Sequence, residues 1–251
     1  MKAGLNLYSV RNLIKTEEDF LKTANSLKEA GYSYLQYSGA PFDAERIQRV
    51  CDRSGLPVYL THVPMERIVE DTEKLMEEHA SFGCKYIGLG MMPREIIFDE
   101  EKMKKQVALL NAAGEKMEKN GFRFFYHHHH FEFAKHSGQT VLDYMLENAP
   151  YIHFTVDTYW LQYGGVDIVE TIKKMKGRIA CAHLKDYQIS KVTSLPEFAP
   201  VGDGTIDFKR VVQALKEAGT EYFFVEQDNA ADLPDTLGQV ARSISYIEKE
   251  I

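Results

Sequence analysis

The chain has 251 residues, 44% of them apolar and 27% charged, which is enough to bury one large core and is the length of a complete α/β barrel. Its 30 Lys/Arg against 37 Asp/Glu leave a formal charge of -7, which repels phosphate backbones and disfavours nucleic acid as a ligand. Cys51, Cys84 and Cys181 are odd in number and far apart, no apolar run is long enough for a bilayer, and the first residues do not resemble an export signal; a cytoplasmic protein without disulfides or membrane contact is expected.

From the N-terminus, Lys2 to Leu7 reads as a strand. Thr16 caps EEDFLKTANSLKEA, a helical pattern that stops at Gly31 before the β-rich YSYLQY, and Asp43 heads AERIQRVCDRS, which stops at Gly55 before LPVYLT. Gly83 precedes CKYIGLG. Asp99 heads a long helical run through Met117, and Gly121 then opens FRFFYH. Ile152 to Val156 follows the helix-ending Asn148, Ala149 and Pro150, Gly177 precedes RIACAH, and Asp207 heads FKRVVQALKEA, which Gly219 closes before TEYFFVE.

Six times, then, a helix stops at a glycine and a strand begins, and two further strands bring the count to eight. Repeated βα units predict a parallel sheet, and eight at this spacing predict a closed (β/α)8 TIM barrel of class α/β, one domain over residues 1–251. No GxGxxG follows the first strand, which argues against a dinucleotide fold. Two irregular stretches, Met91 to Phe98 and Asp186 to Thr205, follow strands and belong to the face where barrels keep their active sites.

A parallel barrel delivers every strand end to one mouth. Here the third strand ends in His62, the fifth in His127 to His130, the sixth in Asp157, the seventh in His183 with Lys185 and Asp186 beyond, and the eighth in Glu226 with Gln227 and Asp228 beyond. A lone Asp at such a place more often caps a helix, and a lone His is usually structural. Together, carboxylates and imidazoles around one point need a cation, and the mixed N/O set suits a divalent transition ion.

The four consecutive histidines are internal and follow a β-prone segment, so they are no purification tag. Alternation puts His127 and His129 on one face and His128 and His130 on the other; if the odd pair faces the lumen, the even pair packs behind it or donates supporting hydrogen bonds. Glu132 lies just past the strand. Trp160 is either a wall against a sugar ring or loop packing, and Lys185 either meets an oxyanion or forms a rim ion pair. His79, His136 and His153 read as structural, on a helix, a loop and the start of a strand.

GLNLYSVR, YHHHHFEF, VDTYWLQYGGVD, HLKD, PVGDGTIDF and FVEQD, in that order from Gly4 to Asp228, resemble the sugar phosphate isomerase/epimerase group of the xylose isomerase-like barrel superfamily. The resemblance implies one divalent ion (Mn2+, Zn2+, Co2+ or Mg2+) on a Glu, Asp, His, Glu set, with the last three at Asp157, His183 and Glu226. The first Glu is missing, and His127 stands at the matching position, with His129 and Glu132 as substitutes. The expected function is a metal-dependent isomerase or epimerase of a small keto-sugar or inosose, acting through an enediolate. The alternatives are a dehydratase of such a substrate and, further off, an endonuclease IV-like phosphodiesterase or a barrel that binds sugar without catalysis.

In this reading Glu226 is the catalytic base, His127 or His129 its acid/base partner and Lys185 the oxyanion partner, while His62, Trp160 and Glu132 are the candidates for substrate contact. The partner is a small sugar or polyol, with a homo-oligomer or an oxidoreductase that makes the keto-sugar both compatible with the sequence.

Overall fold

The computed structural model describes residues 1–251 and closes the eight strands into one parallel barrel: β1 (Gly4–Asn6), β2 (Tyr34–Tyr37), β3 (Val58–His62), β4 (Tyr86–Leu89), β5 (Arg123–His127), β6 (Ile152–Asp157), β7 (Cys181–Leu184) and β8 (Tyr222–Val225). Each strand pairs in parallel with its neighbours in sequence, and β8 returns to β1. All eight C-terminal ends therefore open at one mouth.

The local signals behave as their chemistry requires. Thr16 and Asp19 form a reciprocal capping box on Glu17–Glu29, and Asp43, Asp99 and Asp207 accept backbone N–H groups at the starts of Ala44–Ser54, Glu100–Lys119 and Phe208–Ala218. The six stop glycines all have positive φ, from 71° at Gly55 to 112° at Gly31. At Gly55 and Gly219 the glycine is itself the left-handed cap, a conformation that costs an L side chain a clash with its own backbone.

The two irregular stretches hold more order than the sequence shows. Arg94–Ile97 makes one helical turn, and Asp186–Ile189 pairs antiparallel with Pro196–Ala199. The Asp186 carboxylate then accepts four backbone N–H groups, from Tyr187 (2.8 Å), Gly202 (3.0 Å), Gly204 (3.0 Å) and Ile206 (3.2 Å), which folds Pro200 to Ile206 around it. A Cβ on Gly204 would lie 2.3 Å from Asp186 Oδ1, so this contact demands glycine. Similarly, His136 lies on a two-residue strand, Lys135–His136, paired with Gln139–Thr140 instead of on a loop.

A continuous core of 59 buried apolar residues joins barrel and helices. A separate cluster of six contains Tyr34, Leu60, Phe125, Cys181 and Phe224. Each of these five precedes by two residues a polar residue at the mouth: Gln36, His62, His127, His183 and Glu226. With period-2 alternation the lumen is plugged by apolar side chains, and the next inward layer is polar. No helix is long and apolar enough to cross a membrane.

Candidate functional site

The strand register brings the site together, with Asp157 paired to His183 across β6 and β7 and His183 paired to Phe224, two residues before Glu226. His127, Asp157, His183 and Glu226 are buried, and each turns one donor atom into a group spanning no more than 4.8 Å. Asp157 Oδ2 lies 3.2 Å from His127 Nε2 and 3.6 Å from His183 Nδ1, and His183 Nδ1 lies 2.6 Å from Glu226 Oε2. His183 Nδ1 and Glu226 Oε2 are enclosed without hydrogen-bond geometry to any partner. Two orphaned polar atoms in a buried N/O set fit a divalent cation.

The surrounding hydrogen bonds aim these atoms. His127 Nδ1 donates to Gly90 O at 2.9 Å, which leaves the Nε2 lone pair for the centre, and His183 Nε2 faces Gln36 Oε1 at 2.7 Å, which leaves Nδ1. Asp157 divides its two oxygens. Oδ1 accepts Trp160 N–H at 3.0 Å as the cap of Thr158–Tyr163, while Oδ2 faces the imidazoles. One carboxylate thus caps a helix with one oxygen and turns the other toward the centre.

Lys185, 1% exposed, puts its ammonium 2.6 Å from Asp228 Oδ1, 3.6 Å from Asp157 Oδ2 and 3.8 Å from Glu226 Oε2. Burial favours the neutral amine, but the three carboxylates outweigh it and hold Lys185 protonated. Burial likewise opposes ionisation of Asp157 and Glu226, yet Lys185 and the imidazoles keep both well below the usual carboxylate range. His183 is depressed by burial and raised more strongly by Glu226 and Asp157, to about 9. A proton on His183 adds to the Lys185 ammonium in offsetting these acids, and a divalent ion would take the place of that His183 proton.

A cavity of about 330 Å³ opens above this centre, lined by His62, His127, His129, Lys185, Glu226 and Asp228 among others. A second cavity, of about 320 Å³ around Asp167, Asp207 and Arg210, has both carboxylates engaged as helix caps and holds no imidazole.

The histidine run divides as its alternation predicts, although β5 ends at His127. His127 and His129 line the cavity, whereas His128 Nε2 accepts Asp157 N–H at 3.1 Å from behind and His130 packs against Trp160 and Tyr163. Burial and His127 depress His129, keeping its ring neutral. Glu132, a candidate for substrate contact, does not reach the cavity: it is fully buried, accepting Tyr126 O–H at 2.6 Å and His129 N–H at 2.8 Å. The short 3-10 turn Phe131–Phe133 rotates it inward, where it braces His129. Trp160 stands behind the wall, 5.1 Å from the His129 ring and 4.9 Å from Lys185 Nζ. His79 is structural, buried between Leu75 O and Thr61 Oγ1.

Gln36 is the site residue the sequence reading did not name, and Asp228, named there only as lying beyond Glu226, gains its role as the Lys185 partner. Gln36 had a signal in its place two residues after Tyr34 on β2, the same spacing that relates Leu60 to His62.

A parallel barrel with an Asp/His/Glu centre at its C-terminal mouth defines a recognisable class. The chain belongs to the xylose isomerase-like TIM barrel family, whose model matches residues 24–249. It is similar to an inosose dehydratase of Clostridium perfringens strain 13, 26% identical in an alignment that covers 93% of this chain and 91% of the relative. An inosose dehydratase of Geobacillus thermodenitrificans is 26% identical in an alignment that covers 77% of each chain. A sugar phosphate isomerase/epimerase structure from Parabacteroides distasonis superposes with a TM-score of 0.83 at 24% identity, covering 99% of this chain and 94% of that one.

Proposed function

We propose that this chain is a divalent-cation-dependent enzyme that removes a proton beside the carbonyl of a small keto-polyol, with loss of a neighbouring hydroxyl as water. The inosose dehydratase relatives support the substrate class and the reaction. The observation that carries the choice is His127. It stands where related barrels place a second glutamate, and both its nitrogens are committed, Nδ1 to Gly90 O and Nε2 to the ligand set. Epimerisation needs a second proton carrier on the opposite face. Asp228 does not supply one, because it follows Glu226 by two residues on the same strand end and pairs with Lys185. Isomerisation and epimerisation, first in the sequence expectation, therefore stand behind dehydration.

His127, Asp157, His183 and Glu226 are the proposed holders of the cation. When bound, it polarises the substrate carbonyl and acidifies the adjoining C–H. Glu226 takes that proton, the C–H electron pair becomes the C=C bond as the C–O bond breaks, and the proton passes from Glu226 to the departing hydroxide, giving water and the starting carboxylate. The Lys185 ammonium donates to the oxygen that gains charge. His129 hydrogen-bonds the leaving hydroxyl and His62 a ring hydroxyl, while Trp160 backs the wall that positions Lys185.

The test is turnover of a keto-inositol by Mn2+- or Co2+-loaded protein, followed by absorbance of the unsaturated product and by mass. Loss of one water that stops in excess chelator supports the reading. An epimer that forms without water loss, or activity undiminished by chelator, overturns it.

A further inference from the structure

Gln36 is fully buried on β2, and its amide spans two imidazoles: Oε1 lies 2.7 Å from His183 Nε2, and Nε2 lies 3.0 Å from His62 Nε2. An amide only donates through nitrogen and only accepts through oxygen. The pair of contacts therefore assigns a proton to His183 Nε2 and a lone pair to His62 Nε2. The consequences appear at the far side of each ring. His183 Nδ1 is the atom 2.6 Å from Glu226 Oε2 within the ligand set, and His62 carries its proton on Nδ1. That Nδ1 makes no hydrogen bond within the protein, and it stands beside Gly90 on the cavity wall, where a Cβ would come within 3.0 Å of it.

We propose that Gln36 is a positioning residue that sets both imidazoles at once, so that in the cation-bound state His183 offers a bare Nδ1 to the ion and His62 offers an Nδ1–H donor to the substrate. This rests on the cation centre proposed above. The two effects separate in two substitutions. Gln36→Leu removes both contacts. Gln36→Glu keeps an acceptor for His183 Nε2–H but turns the other side from donor to acceptor, which moves the His62 proton to Nε2 and leaves the cavity without that donor.

The experiment is Zn2+ titration by calorimetry, together with imidazole 15N spectra of the wild type and both variants. We expect Gln36→Leu to weaken Zn2+ binding by about ten- to a hundredfold, the usual effect of losing a partner behind a metal-bound histidine. Gln36→Glu should bind Zn2+ within about threefold of wild type, since His183 keeps an acceptor, show His62 protonated at Nε2, and raise KM for a keto-inositol by about tenfold, the loss of one hydrogen bond. Wild-type Zn2+ affinity in folded Gln36→Leu, or Nε2–H on His62 in the wild type, overturns the proposal. A wild type that takes up no divalent ion refutes the cation centre instead, and the His62 proton position in ion-free protein then decides the role of Gln36. If neither variant folds, the wild-type spectra decide it.

Discussion

Tyr126 donates its hydroxyl to Glu132 Oε1 across 2.6 Å in the interior behind the histidine run. Burial pushes the Glu132 carboxyl up to about 7, against the pull of that hydroxyl and of the His129 N–H. A carboxyl raised on folding stabilises the native state most below its unfolded value, near 4.5, and loses that contribution as pH rises through about 7. Glu132→Gln does not titrate. Between pH 4.5 and 8 the wild type should lose stability relative to this variant, measured by urea unfolding at each pH; parallel profiles would show that Glu132 is ionised throughout.

Asp157→Asn keeps an oxygen to accept Trp160 N–H but removes the charge that faces His127 and His183, whereas Asp157→Ala removes both. Divalent-ion affinity should fall by about a hundredfold in each, the upper end of what losing even a partner behind a ligand costs. The alanine variant should be further destabilised by about 1 kcal/mol, the worth of a helix cap. Calorimetric metal titration and thermal melts separate the two roles, and equal melts would remove the cap from the account.

Lys185→Met leaves Asp157, Glu226 and Asp228 without their buried cation. In chelator the loss of stability should be about 3–5 kcal/mol, as for other buried pairs broken on one side. Saturating divalent ion should recover part of it, both by neutralising the acids and by binding only the folded chain. A deficit unchanged by cation would mean that Lys185 and the ligand set do not share one electrostatic centre.

Asp186 gathers four backbone N–H groups, and neither asparagine nor alanine can replace a two-oxygen anion there. Asp186→Asn should cost about 1.5–3 kcal/mol, the range for hydrogen bonds to a charged group and stranded donors. Amide exchange at Gly202, Gly204 and Ile206 should accelerate more than at the β7 amides. Uniform acceleration across the barrel would mark a global effect instead of release of this loop.

The order of elements was legible because each was announced by a local rule: Thr16, Asp43, Asp99 and Asp207 at helix starts, and glycines with positive φ at helix ends. Closure of eight βα units into a barrel follows from that order. The place of Asp157, His183 and Glu226 at one mouth was legible too, since a strand's last inward residue has one direction in which to point. Past the last strand residue this rule lapses. Glu132 turns inward on a 3-10 turn, and Asp186 is claimed by a loop sixteen to twenty residues further along the chain. Gln36 gains its meaning from His62 and His183, 26 and 147 residues away in sequence. The sequence by itself determined which side chains reach the mouth, through backbone periodicity. Only the tertiary structure decided which atom of each faces the centre, because a buried polar atom takes whichever partner the packed neighbours leave within about 3 Å.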